Sequence, residues 1–356
     1  MMPRPFRFAL PLVSALLAAD TTWAAVIGVV APQQGPYASL GAQILAGARA
    51  AAGEADQIIA LNETCEQGNG TDVADRLMAA NVAVAIGFLC VETAAEALPR
   101  LKMDAIPAIS VSVRSKILME DAERYQWPFF RLAPVDGMEA KKIAEVILSR
   151  WQNRPIALVD DGTIYGRELL SAVRQQIEAG GIKPVFTDTF RPGQEQQLAL
   201  VRRLVTAGAS HVLVGGDRND VATMARDAAH DGASLTFVGG DVMRAADRPV
   251  PLTDGTLAVA LPPYADLPAA NETSARLRSQ GIEPEGYVLP AYAAVQIAKA
   301  ALAKSPQPPA EALKNLAAET VIGRIRFGDD RELAENPFRL QEWRNNAFHL
   351  VEPETE

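Results

Sequence analysis

Histidine is scarce in this 356-residue chain: there are three, His211, His230 and His349, and they form neither HExxH nor any other close pair. No GxGxxG follows the first apolar strand, and GxxxxGK[ST] and GxSxG are missing altogether. Those gaps remove the usual cradles for nucleotide phosphates, hydrolytic zinc and an activated serine. Neighbouring carboxylates such as Asp160 and Asp161 are expected by chance among 43 acidic residues, so no acid-base pair stands out. Neither an enzyme nor a cofactor is expected. Positive charge is also in deficit, with 34 Lys plus Arg against 43 Asp plus Glu, which argues against a nucleic-acid or anionic-membrane surface. Only two cysteines occur, and neither their spacing nor their neighbours suggest a metal site.

Long apolar runs are absent after the first 25 residues. Within those, Arg4 and Arg7 supply a positive start, Phe8 to Ala19 is an apolar run too short to span a bilayer, and Thr22-Trp23-Ala24-Ala25 ends in small residues. This is the pattern of a signal peptide; a buried first strand or an interfacial anchor is the alternative. Cleavage after Ala24 or Ala25 fits equally well, and no lipid-attachment cysteine follows, so the expected product is free in its compartment. Setting the segment aside removes Arg4, Arg7 and Asp20, leaving 331 residues with 32 Lys plus Arg against 42 Asp plus Glu. A chain of that length ordinarily divides into two domains. Export makes unpaired thiols a liability. A Cys65–Cys90 bridge would close a loop spanning residues 65 to 90 and restrict the unfolded chain by roughly 3 to 4 kcal/mol; two separate buried thiols are the alternative.

What the chain does contain is alternation. Apolar strands at Val26–Ala31, Ile58–Leu61, Val82–Gly87, Ala105–Ser110 and Phe129–Leu132 are separated by helical stretches at Ser39–Gly53, Asp72–Ala80 and Val91–Leu101. Pro134-Val135-Asp136-Gly137 interrupts the series, which then restarts. Strands at Pro155–Val159, Pro184–Thr187, His211–Val214 and Leu235–Val238 alternate with helices at Met138–Trp151, Gly166–Ala179, Glu195–Ala207 and Asn219–His230. Two mainly parallel sheets, each covered on both faces, are predicted. Late elements follow: a strand at Leu257–Leu261, helices at Ala269–Gln280 and Pro290–Ala303, and strands at Ile322–Phe327, Phe338–Trp343 and Phe348–Val351. They imply that the chain crosses between lobes more than once. The expected division is 26–133 with 262–335 in one lobe and 134–261 with 336–356 in the other.

Several loops sit where a parallel sheet binds ligands, at the C-terminal ends of its strands. Gly35-Pro36-Tyr37-Ala38-Ser39-Leu40-Gly41 follows the first strand, and Tyr165-Gly166 occupies the corresponding place in the second half, so two aromatics would face a cleft from opposite lobes. Val214-Gly215-Gly216-Asp217 and Val238-Gly239-Gly240-Asp241 are the same four residues, 24 apart. Each aspartate either contacts a ligand or caps the next helix. The capping reading is at least as strong for Asp217 and weaker for Asp241, because Val242-Met243 makes a poor first helical turn.

Taken in order, these pieces resemble the periplasmic branched-chain amino-acid (Leu/Ile/Val) binding proteins of ABC importers, with the type I periplasmic-binding fold. The resemblance runs from about Val26 to Phe348. It rests on Gly35-Pro36, Ile86-Gly87-Phe88-Leu89-Cys90, Ile109-Ser110, Phe130-Arg131, Tyr165-Gly166, Gly215-Gly216, Tyr292-Ala293-Ala294-Val295-Gln296 and Val321-Ile322-Gly323. It implies a two-lobed α/β fold, a ligand cleft between the lobes and a disulfide matching Cys65–Cys90. It also places ligand contacts at Val91, Ser112, Arg114, Tyr165, Asp217 and Asp241, beside Tyr37, which its own loop position makes a candidate. Val91 stands where the family commonly has a carboxylate-binding serine, Arg114 where it has a threonine, and Asp217 where a tyrosine is frequent; Asp241 matches the acid that pairs with a ligand ammonium. The implied function is capture of an amino acid or related small carboxylate by a monomer that delivers it to a membrane permease. A sensor docking on a signalling receptor is the alternative.

Overall fold

The computed structural model describes residues 25–245 and 250–351, so the signal-peptide segment lies outside the described residues. Val26–Ala31 (β1), Gln57–Asn62 (β2), Val84–Gly87 (β3), Ala108–Ser110 (β4) and Phe129–Arg131 (β5) form one sheet in the order β2-β1-β3-β4-β5, with every pairing parallel. The connecting helices are Ala38–Ala51 (α1), Asn69–Ala79 (α2), Val91–Leu101 (α3) and Lys116–Arg124 (α4). β3, β4 and β5 are buried along their whole length, as strands covered on both faces must be.

A second sheet is built from Ile156–Asp160 (β6), Phe186–Thr189 (β7), His211–Gly215 (β8), Thr236–Gly239 (β9) and Leu257–Ala260 (β10). These pair in parallel, flanked by helices Met138–Arg150 (α5), Ile164–Ala179 (α6), Leu198–Thr206 (α7) and Arg218–His230 (α8). The chain then returns to the first lobe through Asn271–Ser279 (α9), Val288–Leu302 (α10) and Pro309–Lys314 (α11). α10 packs along α1, and Gly47 permits the approach: a side chain there would strike the backbone carbonyl of Val288. Side chains of α1 and α10 form one apolar cluster with β1, β3 and β5, while those of α2, α3 and α4 form the cluster on the opposite face.

Ala317–Thr320 (β11) and Gly323–Arg326 (β12) make a separate antiparallel hairpin, and Arg339–Arg344 (β13) and Ala347–Leu350 (β14) extend the second sheet antiparallel beyond β10. The result is a two-lobed α/β fold with a mainly parallel sheet in each lobe. Two details depart from the sequence expectation. α4, a short amphipathic helix between β4 and β5, was not expected, and neither was β11, which pairs with the strand expected at Ile322–Phe327 to make the hairpin. Among the described residues no helix is long and apolar enough to cross a membrane.

Candidate functional site

In the first lobe the loop after β4 is shaped by Ser110. Its buried hydroxyl donates to the Phe88 carbonyl (3.1 Å) and accepts from the Val113 and Ser112 amides (3.0 and 3.3 Å). Ser112 Oγ also donates to Phe88 O (3.0 Å), so that hydroxyl is engaged within the loop. Arg114 follows, exposed, and makes no ion pair with the described residues. Ser115 then caps α4, accepting from Leu118 N (3.2 Å).

The second lobe answers with a carboxylate that sequence reading missed. Glu139, in the first turn of α5, accepts at Oε1 from the Tyr165 hydroxyl (2.7 Å) and from the Asp241 backbone N–H (2.7 Å). Three elements thus meet at one oxygen: the starts of α5 and α6 and the turn after β9. Gly240 is required there, because a Cβ would collide with the Glu139 carboxylate and the Tyr165 hydroxyl. The Asp241 side chain accepts from Leu261 N (3.0 Å), tying the end of β9 to the segment that leaves the lobe.

The two lobes share one electrostatic field. Burial pushes the Glu139 carboxyl above its ordinary range; the Tyr165 and Asp241 hydrogen bonds pull it back, Asp241's charge raises it again and Arg114's charge lowers it. The Tyr165 phenol is pushed up by burial and by Glu139, and Arg114 opposes this too. A cavity of about 700 Å³ lies alongside, lined by Gln43, Ser112, Arg114 and Tyr287 on the first lobe, Arg244 and Leu261 on the second, and Tyr264 at the crossing between them. Tyr264, pushed up to about 12 chiefly by burial, also feels Arg114, Arg244 and Asp241.

The expected site residues separate into groups. Ser112 and Arg114 line the cavity, and Tyr165 and Asp241 join Glu139 on the opposing lobe. Tyr37 stands exposed at the start of α1, outside the cavity lining. Val91 opens α3 and packs against the apolar cluster beneath, again outside the lining. Asp217 caps α8, accepting from Asp220 N (2.9 Å), and borders a different cavity. Glu139 carried one sequence signal, an acidic residue two positions after the Pro134–Gly137 interruption. Tyr264 follows Pro262-Pro263 in the same manner, where the chain leaves the second lobe.

Cys65 and Cys90 are joined, with Cα atoms 5.1 Å apart. Next to them Glu63 is fully buried, and its carboxylate accepts from the amides of Leu89 (2.6 Å) and Cys90 (3.2 Å). Burial outweighs both bonds and raises its pKa from 4.5 to about 7. The folded state therefore holds this proton more tightly than the unfolded chain, and the stability it contributes is lost as pH rises from about 4.5 through 7. Urea denaturation should show the wild type gaining roughly 2 kcal/mol from this group between pH 7.5 and pH 5. Glu63→Gln should flatten that gain; an unchanged pH slope in the variant would contradict the assignment.

Comparison with known proteins agrees with this geometry. A family profile described as periplasmic binding protein matches residues 25–347. The chain is 26% identical over 336 residues to Leu/Ile/Val-binding protein homolog 3 of Brucella melitensis, covering 89% of this chain and 90% of that one. Its fold is similar to that of a putative branched-chain amino acid ABC transporter protein from Rhodospirillum rubrum (TM-score 0.77, 18% identity, 92% of this chain and 100% of that chain). It is also similar to that of a solute-binding protein from R. palustris in complex with 4-hydroxybenzoate (TM-score 0.61, 15% identity, 93% and 96% of the two chains). Family and fold are those of binding proteins rather than enzymes. With a match spanning both lobes and the cavity between them, the chain belongs to the periplasmic binding protein family.

Proposed function

We propose that this protein is the periplasmic solute-binding component of an ABC importer, a monomer that captures an amino acid or related small carboxylate and delivers it to a membrane permease. The observation that carries the reading is the opposition of charge across the cleft. Arg114 extends from the first lobe without an ion-pair partner among the described residues, while Glu139 and Asp241 gather on the second within reach of its field. A zwitterion fits between them, its carboxylate on the planar N–H pair of Arg114 and its ammonium towards Glu139 and Asp241. The names of the relatives support an amino acid, and the 4-hydroxybenzoate complex shows the same fold holding a small aromatic carboxylate. Ser112 remains a first-lobe contact in this reading.

The chain passes between lobes after β5, after β10 and before β13, and these three crossings would act as the hinge. Contacts shared by both lobes favour the closed form only to the extent that closure adds binding energy. Denaturing the purified protein and identifying the released compound by mass spectrometry names the solute. Added back at saturation, it should reduce the radius of gyration in solution scattering. Tight binding with no change in that radius, or full affinity in a variant lacking both Arg114 and Glu139 side chains, would refute the proposal.

A further inference from the structure

A second cavity of about 730 Å³ lies entirely within the second lobe, bordered by the loop after β7 and by α8. Asp217, Asp220, Asp227 and Glu195 contribute to its wall. Capping does not account for this acidity. Asp217 caps α8, whereas the Asp220 carboxylate accepts from Gly193 N (2.8 Å) in the loop after β7. Asp220 is only 2% exposed, and its second oxygen, Oδ2, has no hydrogen-bond partner among the described residues. A buried carboxylate oxygen left unpaired costs free energy that a bound cation would recover.

Among the described residues Arg226 is the one arginine or lysine in the wall, and it is already engaged: it pairs with Asp227 (2.8 Å) and donates to the Glu195 carbonyl (2.6 Å). Among the described residues no group of three His, Cys, Asp or Glu side chains is placed to hold a metal ion, which points away from a divalent ion. Leu198 and Val250 add apolar surface beside the carboxylates. We propose that this cavity is a second binding site, distinct from the cleft, for an organic monocation that sets a guanidinium or primary ammonium group against Asp220 and Asp217 and an aliphatic stem against Leu198 and Val250.

The local field supports such an occupant. Burial raises the Asp220 pKa to about 6 despite the Gly193 bond, and the charges of Asp217 and Asp161 push it the same way. A bound cation offsets these effects by stabilising the ionised carboxylate. The same head group could arrive on a free amine or on a basic side chain of another protein, and the site chemistry is common to both.

Calorimetric titration of the mature chain with agmatine at pH 7.5, with ionic strength fixed by NaCl, tests the site. One equivalent should bind. Asp220→Asn should weaken binding at least tenfold, and Asp217→Asn several-fold, while Glu139→Gln in the cleft should change it by less than twofold. Asn remains a good helix cap, so Asp217→Asn keeps the test decisive if the Asp220 variant fails to fold. A blocked Gly-Arg-Gly peptide forms the second arm: binding comparable to agmatine assigns the pocket to a side chain, and exclusion of the peptide assigns it to a free solute. No binding of either ligand overturns the proposal, as does an agmatine affinity that falls with Glu139→Gln and not with Asp220→Asn. Affinity for the cleft solute should be the same in wild type and Asp220→Asn, so failure here leaves the cleft reading separately measurable.

Discussion

Glu139→Ala should weaken binding of the cleft solute at least thirtyfold, about 2 kcal/mol, in a calorimetric titration. Two effects combine at this position. The ligand ammonium loses a partly buried carboxylate, a charged hydrogen bond usually contributing about 1.5 to 3 kcal/mol. The Tyr165 hydroxyl and Asp241 N–H lose their shared acceptor, so the three elements meeting there are no longer held together. Glu139→Gln retains an acceptor for those donors and removes only the charge, and should fall between the two. Arg114→Ala should cost at least about tenfold, near 1.4 kcal/mol. Its penalty should shrink for an analogue lacking the carboxylate, whereas that of Glu139→Ala should shrink for one lacking the amine. Asp241 is better tested as Asp241→Asn, because Ala would also strand the Leu261 amide now bonded to its carboxylate. Penalties that do not depend on which ligand group is removed would show that the assigned orientation is wrong.

Much of the architecture is legible in the sequence because strand and helix alternate with the two periods of 2 and 3.6. The interruption at Pro134–Gly137 marks a place where the chain changes sheets. The repeated Val-Gly-Gly-Asp is legible in part, since the capping reading that was stronger for Asp217 than for Asp241 is the one the structure shows. Both copies end a strand of the second sheet, yet Arg218-Asn219-Asp220 continues into α8 while Val242-Met243 continues only into a short 3-10 turn, so Asp217 becomes a cap and Asp241 an inter-segment tie. Glu139 was illegible for a different reason. Its partners lie 26 and 102 residues away, and no local pattern records that three element ends converge on one oxygen. Val91 illustrates the reverse: its place after Cys90 is clear from sequence, while the packing of its half-buried side chain against the apolar cluster beneath is not.

Arg131 is fully buried beneath the cleft and supplies the largest expected stability effect. Its guanidinium pairs with Glu332, brought from 201 residues away, and donates to the Ser115 carbonyl (3.2 Å), one residue beyond Arg114. Backbone also binds backbone here, since Arg131 N donates to Arg331 O (3.1 Å). Burial raises the Glu332 carboxyl, and the charge and hydrogen bond of Arg131 offset only part of that rise. Removing one member of a buried pair strands the other, which typically costs about 3 to 5 kcal/mol, more than the pair itself contributes over an apolar replacement. Glu332→Ala should therefore lower the unfolding free energy by that amount in urea, and Glu332→Gln by less because an acceptor remains. The double change Arg131→Met with Glu332→Ala removes the stranded charge and should recover a large part of the loss. Solute affinity should separate from stability in that double variant: without Arg131 the Ser115 carbonyl loses its tie, the loop presenting Arg114 loosens, and binding stays weak although the fold is restored. Equal stability of Glu332→Ala and wild type would mean that water takes over the pairing, and affinity recovering in step with stability would mean that Arg131 does not position Arg114.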